Sequence, residues 1–560
     1  MAGAITRRDF LNAMGAAPAA LAFAGRAVAA QADGRPNIVL FLTDDALWSE
    51  YQFHNPEGVY TPSFKRLADE GVRFTRCYCA GSSCSPARFS LFTGRRPSTA
   101  IDPGTLAAAR HRNGYVRFSN SGKALLHEDN VARVLRDAGY LTCIIGKTDG
   151  IDKSGDYHKI DPAWDPDDPE VARKLEENQR LRQKQMRHFG FDHPLYVHRG
   201  NIQPHFATRK NAVHNVEHMT SKALEFLGIA QRRRKPFFLV YSTSMLHAPN
   251  EYDSLTKGSP LATEAGSLTQ PPTGVQPSRR SCIDRVKARG LPPRSAAPAL
   301  WIDDALTAIL AKLRSMGADE NTLVVLHNDN GHDNHGKDSA YHDGFHVPLV
   351  VRWPKGVVRP GRKDEHFVRS FDLVPTFMEL AKARRPEGML LHGRSIVPLL
   401  KGRAPRDWRD SVFMSYGFAR VVQRGAYRYI AVRFPDNHET NPLAGKPGKP
   451  LAAKHKKLLA RAGNRKGMTH GRAPTKAELN HYEVHGESYF DADQLYDIRK
   501  DPLERSNLAA APRHAGVLKE MRKLLRKHLQ RVPGPFGEFK TQDPEYMRFL
   551  AGSGASPPPR

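Results

Sequence analysis

Hydrophobic positions fall into short continuous runs that stop abruptly at polar residues. Residues 37–42 form one such run and end at Thr43, Asp44 and Asp45. Residues 141–145 end at Gly146 and Lys147, residues 236–241 lead to His247, and residues 322–326 lead to Asn328, Asp329 and Asn330. An apolar run of this length without alternation is the pattern of a strand buried on both faces. Stretches of helical period lie between the runs, for example at 130–138 and 301–316. Strand and helix in alternation predict a doubly wound α/β sheet with helices on both faces. Such sheets bind ligands beyond the carboxyl ends of their strands, so four strand ends bearing Asp, Asn, Lys and His converge on one predicted site.

Two stretches break the rhythm. Residues 254–298 are rich in Ser, Pro, Thr and Arg and read as a long surface insertion. Residues 443–477 are rich in Gly and Lys, with nine Lys or Arg between 446 and 472 and no acid. They read as a solvated loop around a short helix, or as a patch that grips polyanions. After Asp407 the strand candidates shorten, at 411–416 and 427–432, and a helix follows over 515–530. The expected organisation is a leader at 1–30, a catalytic domain at 31–405, a smaller α+β domain at 406–535 and a Pro-rich tail at 536–560.

Composition adds three facts. A chain of 560 residues that is 40% hydrophobic is globular, neither disordered nor membrane-spanning. Its formal net charge of +27 raises the local concentration of polyanions, without choosing among nucleic acid, anionic lipid and acidic polysaccharide. Its cysteines, at 77, 79, 84, 143 and 282, are too few and odd in number for a disulfide framework, and one calls for its own explanation. The N-terminus carries Thr6-Arg7-Arg8-Asp9-Phe10-Leu11, a mild apolar stretch to Gly25 and small residues at Ala27-Val28-Ala29. That is a twin-arginine leader too short to span a bilayer. It predicts export by the twin-arginine translocase, as a folded protein, to the periplasm or exterior, with no stable membrane insertion.

Cys84-Ser85-Pro86-Ala87-Arg88, followed by Leu91-Phe92-Thr93-Gly94, resembles the signature of the formylglycine-dependent sulfatases, members of the alkaline phosphatase superfamily. The resemblance runs through the chain. It takes in Arg35-Pro36-Asn37 with Asp44-Asp45, Thr61-Pro62-Ser63-Phe64, Asn328-Asp329-Asn330-Gly331, Gly336-Lys337 with Tyr341, Arg352-Trp353-Pro354, Leu495-Tyr496-Asp497 and Asn507-Leu508. It implies an alkaline-phosphatase-like mixed sheet and hydrolysis of an organic sulfate ester to an alcohol and inorganic sulfate. It also implies one Ca²⁺ per subunit, and a formylglycine-generating enzyme that oxidises Cys84 during maturation. In the family the hydrated aldehyde attacks sulfur, and its second hydroxyl lets the aldehyde re-form and expel sulfate. Carried over, Asp44, Asp45, Asp329, Asn330 and the modified Cys84 bind the metal, and Arg88 steadies the nucleophile. Lys147 and Lys337 then hold the sulfate oxygens, and His247 protonates the leaving oxygen.

The residue chemistry agrees independently. Hydrolysis of a sulfate monoester places more negative charge on its oxygens, which calls for a hard cation and fixed positive donors. Asp44, Asp45, Asp329 and Asn330 offer only oxygen, which suits Ca²⁺ or Mg²⁺ and disfavours zinc. Two departures stand out. The family reads Gly-Lys-x-His where this chain has Gly146-Lys147-Thr148-Asp149, so Asp149, His158 and His332 are candidates for accepting the proton as sulfate leaves. After Tyr341 the family's Glu-Gly-Gly-x-Arg becomes His342-Asp343-Gly344-Phe345-His346. The export leader and the charge make a sulfated polysaccharide or oligosaccharide the expected substrate, and nucleic acid is not expected. Two rival readings remain open: a phosphomonoesterase or phosphodiesterase on the same fold, and a non-catalytic binder of acidic glycans.

Overall fold

The computed structural model describes residues 34–46, 48–118, 124, 129–151, 157–202, 207–247, 251–332, 336–435, 453–463, 465–469, 474–541 and 543–552. The leader read at 1–30, much of the basic stretch and the end of the tail lie outside the described residues.

An eight-stranded sheet organises the larger part of the chain. Its strands are β1 (Asn37–Thr43), β2 (Val72–Phe74), β3 (Leu141–Lys147), β4 (His193–His198), β5 (Phe237–Ser242), β6 (Thr322–Asn328), β7 (Leu349–Arg352) and β8 (Arg362–Asp364). Their spatial order is β8-β2-β7-β6-β1-β5-β3-β4, with β7 antiparallel to its neighbours and the other pairs parallel. The four predicted runs are therefore adjacent at the middle, and their carboxyl ends line up. β1 explains why they lack alternation: Ile38, Leu40 and Leu42 join one apolar cluster, while Val39 and Phe41 join the other.

Helices cover both faces. On one lie α2 (Cys84–Thr93), α3 (Val131–Asp137) and α8 (Leu373–Leu380), and on the other α1 (Pro62–Asp69), α5 (Val216–Arg233) and α7 (Pro293–Ser315). The long α4 (Pro169–Phe189) leads into β4, and α6 (Arg279–Lys287) packs on α7. Every residue of α2 is buried, so this helix has no solvent-facing side.

Residues 254–298 are mostly exposed or half-buried, but a few of their side chains anchor the stretch to the core. Cys282 and Val286 of α6, with Ala296 and Ala297 of α7, are buried in the core. Asn211 and Asn215 donate to the carbonyls of Thr263, Pro260 and Ala262, and Glu264 forms a buried ion pair with Arg182 of α4 at 2.5 Å. Sparse apolar residues at helical spacing anchor this stretch despite its polar average.

The C-terminal sheet is antiparallel, β9 (Ser411–Tyr416), β10 (Ala419–Arg424), β11 (Tyr427–Val432) and β12 (Asp493–Asp497), in that order. Between β11 and β12 lie α9 (Ala453–Ala462) and α10 (Lys476–His485), and α11 (Ala515–Leu529) follows. One sheet face packs Phe413, Val422, Tyr429 and Leu495 against Met521, Leu524, Leu525 and Leu529 of α11. The other face sends Val412, Met414, Val421 and Ile430 into the main core. The strands at 411–416 and 427–432 and the helix after 515 agree with the sequence reading.

Candidate active site

The strand ends deliver the polar residues to one point. Asp44 and Asp45 follow β1, and Asp45 adopts a positive φ of 52°, a conformation Asp tolerates better than most residues. Cys84 opens α2, with Ser83 as its N-cap, and Arg88 sits one turn further on. Lys147 ends β3, His247 lies just beyond β5, and Asp329 and Asn330 follow β6. Two glycines allow the close approach. A Cβ at Gly146 would strike the Ser242 carbonyl, and one at Gly150 would strike the backbone of Ser85 and the side chain of Arg88. Both have positive φ, at 95° and 81°.

Ligand atoms of Asp44, Asp45, Cys84 and Asp329 all lie within 4.8 Å of one another. The Cys84 sulfur is 3.5 Å from Asp44 Oδ1. Around this cluster stand three cations. Lys147 Nζ donates to Asp44 Oδ2 at 2.5 Å, Lys337 Nζ to Asp45 Oδ2 at 2.6 Å, and Arg88 Nε to Asp329 Oδ2 at 2.8 Å. Asn330 Nδ2 donates to Asp45 Oδ1 at 2.8 Å, and His247 Nε2 lies 3.3 Å from Asp45 Oδ2. Arg88 and Asp44 are both fully enclosed.

Burial works against the Asp44 carboxylate, yet Lys147, then Arg88, His247 and Lys337 outweigh it and hold its pKa well below the ordinary range. Burial also opposes charge on Lys147 and Arg88, but the carboxylates beside them raise both pKa values. Burial, reinforced by the charge of Asp44, pushes the Cys84 thiol well above its ordinary pKa. As a thiol, Cys84 is uncharged at neutral pH and offers little nucleophilicity.

The donor set fits a hard cation. Three carboxylates converge, and Asn330 Oδ1 is a buried oxygen without a hydrogen-bond partner among the described residues. Oxygen donors of this kind suit calcium, whereas the sulfur of Cys84 does not.

Every predicted metal-site residue, with Arg88, Lys147, His247 and Lys337, belongs to this constellation. Asp149 stands at its margin, where Oδ1 accepts from Ser85 Oγ at 2.8 Å. His158 is directed elsewhere, exposed and 2.6 Å from Glu177 of α4. The His332 carbonyl accepts from the Lys337 amide at 3.1 Å. Cys84 is not the remainder of disulfide pairs, since all five cysteines are free and buried.

Two functional neighbours escape the sequence reading. Asn201 links Lys147 to His247, accepting from Lys147 Nζ at 2.7 Å and donating to His247 Nε2 at 2.7 Å. Ser242 accepts from Arg88 Nη1 at 2.7 Å and donates to the Lys147 carbonyl at 2.7 Å. Asn201 follows β4, a strand the apolar pattern does not announce. Ser242 is the last residue of β5, one beyond the predicted run.

A buried carboxylate cluster ringed by Lys, Lys and Arg at the strand ends of an α/β sheet defines a hydrolase for esters of tetrahedral oxyanions. The sulfatase family model matches residues 36–383. N-acetylgalactosamine-6-sulfatase of Mus musculus is 27% identical over 406 residues, which cover 67% of this chain and 68% of that one. A protein solved in complex with its substrate D-glucosamine-2-N,6-O-disulfate superposes with a TM-score of 0.55 at 18% identity, over 89% of this chain and 98% of that one. Phosphonate monoester hydrolase from Silicibacter pomeroyi gives a TM-score of 0.54 at 18% identity, over 89% and 96%. The chain belongs to the sulfatase family and is a sulfuric ester hydrolase, built on an alkaline-phosphatase-like sheet. No helix among the described residues is long and apolar enough to cross a membrane.

Proposed function

We propose that the enzyme releases inorganic sulfate from a sulfated carbohydrate, with Cys84 oxidised to formylglycine and Ca²⁺ held by Asp44, Asp45, Asp329, Asn330 and the modified residue. The observation that carries this reading is the convergence of Cys84 with three carboxylates and three cations in one buried cluster. A bound calcium ion would supply a Lewis acid that draws electron density from the sulfate oxygens. Oxidation of Cys84 replaces a soft, neutral thiol with an oxygen-bearing side chain, which answers the mismatch between sulfur and the surrounding donors. Lys147 and Lys337 orient the sulfate by its oxygens, Arg88 steadies the nucleophile, and His247 delivers a proton to the leaving oxygen. Asn201 keeps His247 and Lys147 in register. Asp149, which accepts from Ser85 next to Cys84 in sequence, is our candidate for taking the proton as sulfate leaves.

The carbohydrate part of the proposal draws on the amino-sugar sulfates in the relatives' names and on the charge of +27. It also draws on α9, which exposes Lys454, Lys456, Lys457 and Arg461. Turnover of a sulfated polysaccharide is expected to fall steeply between low and physiological salt, while that of a small aryl sulfate changes little. Parallel salt dependence of the two substrates would remove the polysaccharide reading.

The likeness to a phosphonate monoester hydrolase sets a second comparison. Aryl sulfate turnover is expected to exceed aryl phosphate and phosphonate turnover in one preparation. The reverse order would assign the site to phosphorus esters.

The leader and the maturation step complete the proposal: the chain is modified at Cys84 in the cytoplasm and exported folded by the twin-arginine translocase.

A further inference from the structure

Lys337 is held unlike the other cations of the site. Lys147 and Arg88 stand on a central strand and a buried helix, whereas Lys337 stands on the irregular segment before β7. From Lys337 to His342, every residue but Ser339 is fastened to the C-terminal part of the chain. His481 Nε2 of α10 donates to the Lys337 carbonyl at 2.9 Å, and Tyr416 of β9 donates to Asp338 Oδ1 at 2.8 Å. Arg428 of β11 donates to the Ala340 carbonyl at 2.9 Å, and Tyr341 donates to Gln494 of β12 at 3.1 Å. Glu504, paired with Arg428 at 3.1 Å, accepts from the His342 amide at 2.6 Å.

Two further bonds tie Asp338 and Ser339 to the turn that carries the nucleophile. The Asp338 amide donates to the Ser82 carbonyl at 2.8 Å, and Ser82 Oγ donates to the Ser339 carbonyl at 2.5 Å. Tyr416, Arg428, His481, Gln494 and Glu504 are all buried. Apolar side chains such as Val412, Met414 and Ile430 also pack across this interface, but apolar packing is indifferent to direction. Buried hydrogen bonds are directional and costly to leave unmade, so they fix where a backbone lies.

We propose that Tyr416 and His481 are positioning residues for sulfate binding: they pin Lys337 and Asp338 so that the Lys337 ammonium reaches the sulfate. The inference rests on the reading of Lys337 as a sulfate-holding residue. The C-terminal sheet then acts on the first step of the reaction while contributing no atom that touches sulfate.

The test is a double-mutant comparison on the formylglycine-bearing enzyme with a small aryl sulfate. Tyr416→Phe and His481→Gln are each expected to lower kcat/KM about tenfold and to weaken inhibition by inorganic sulfate to a similar degree, the size of one buried hydrogen bond. Lys337→Ala alone is expected to cost on the order of 10²-fold. In the Lys337→Ala background the two substitutions are expected to cost less than about twofold, because the ammonium they position is gone. Equal losses in both backgrounds would overturn the proposal, since a general loosening of the fold multiplies with any other defect. Unchanged activity and sulfate inhibition in both single variants would also overturn it. Full activity of Lys337→Ala would overturn the reading of Lys337 itself, and the proposal with it. Asp338→Asn, which Asn tolerates at the positive φ of 59°, weakens the Tyr416 bond from the other side and carries the test if either variant fails to fold.

Discussion

Replacing Cys84 with Ala should abolish sulfate release, lowering kcat by on the order of 10⁵-fold, as removal of a nucleophile does when its partners remain. Cys84→Ser is the more informative variant. A serine hydroxyl at the start of α2 lies among the same cations and is able to attack sulfur once. It has no second hydroxyl on the same carbon, so the ester it forms is not discharged. The expected result is a single substoichiometric burst, with the mass of one sulfate group retained on the peptide containing residue 84. In the unsubstituted enzyme the same peptide should be about 18 Da lighter than its cysteine form, the change from thiol to aldehyde. Sustained turnover by Cys84→Ser, or a full-mass Cys84 in a fully active preparation, would exclude the formylglycine mechanism. The geometry makes the unmodified thiol a weak rival. Cys84 is 6% exposed, burial and Asp44 raise its pKa, and its sulfur faces a cluster of oxygen donors.

Much of this site was legible because its residues sit at the ends of strands buried on both faces. β1, β5 and β6 advertise themselves as unbroken apolar runs, and the polar residues that follow them have no structural alternative at the middle of a sheet. β4 does not advertise itself. It is an edge strand whose His193 and Leu195 are only half-buried, and so Asn201 beyond it carried no signal. The anchoring of the stretch 254–298 was hidden for a different reason. Its average is polar, but Cys282 and Val286 on α6 are enough to bury one side of a short helix, and α7 begins at Pro293, where proline fits a first turn rather than breaking it.

The fastening of Lys337 was beyond reach of any local pattern. Its partners Tyr416 and His481 lie 78 and 144 residues from the groups they bind. The changed motif after Tyr341 gains a partial account from the same interface. The His342 amide is held by Glu504, while its ring meets Tyr78 at 3.2 Å. The segment therefore serves the contact between the two sheets, as well as any role toward substrate.

Asp45 is the residue whose removal should couple metal binding to catalysis most directly. It accepts from Lys337 and Asn330 and faces His247, so one carboxylate touches the residues proposed to hold sulfate, to bind the metal and to protonate the leaving oxygen. Asp45→Asn preserves shape and removes one of three negative charges. Two effects are expected together: kcat/KM falls on the order of 10³-fold, and the rise in Tm on adding Ca²⁺ to the chelator-treated enzyme disappears. The second readout needs no turnover, because any ligand of the folded state alone stabilises it in proportion to its occupancy. Ser85→Ala serves as a control, since that hydroxyl contacts Asp149 and not the carboxylate cluster. It should retain the calcium-dependent rise in Tm. A calcium response that survives in Asp45→Asn and in Asp329→Asn would move the cation away from these strand ends. Loss of activity without loss of the calcium response would leave the metal in place and assign Asp45 to holding Lys337 alone. The three carboxylates and the three cations Arg88, Lys147 and Lys337 balance in formal charge. On the proposed reading calcium alone takes the site to +2 and a sulfate ester monoanion brings it to +1, so each ligand is expected to strengthen binding of the other.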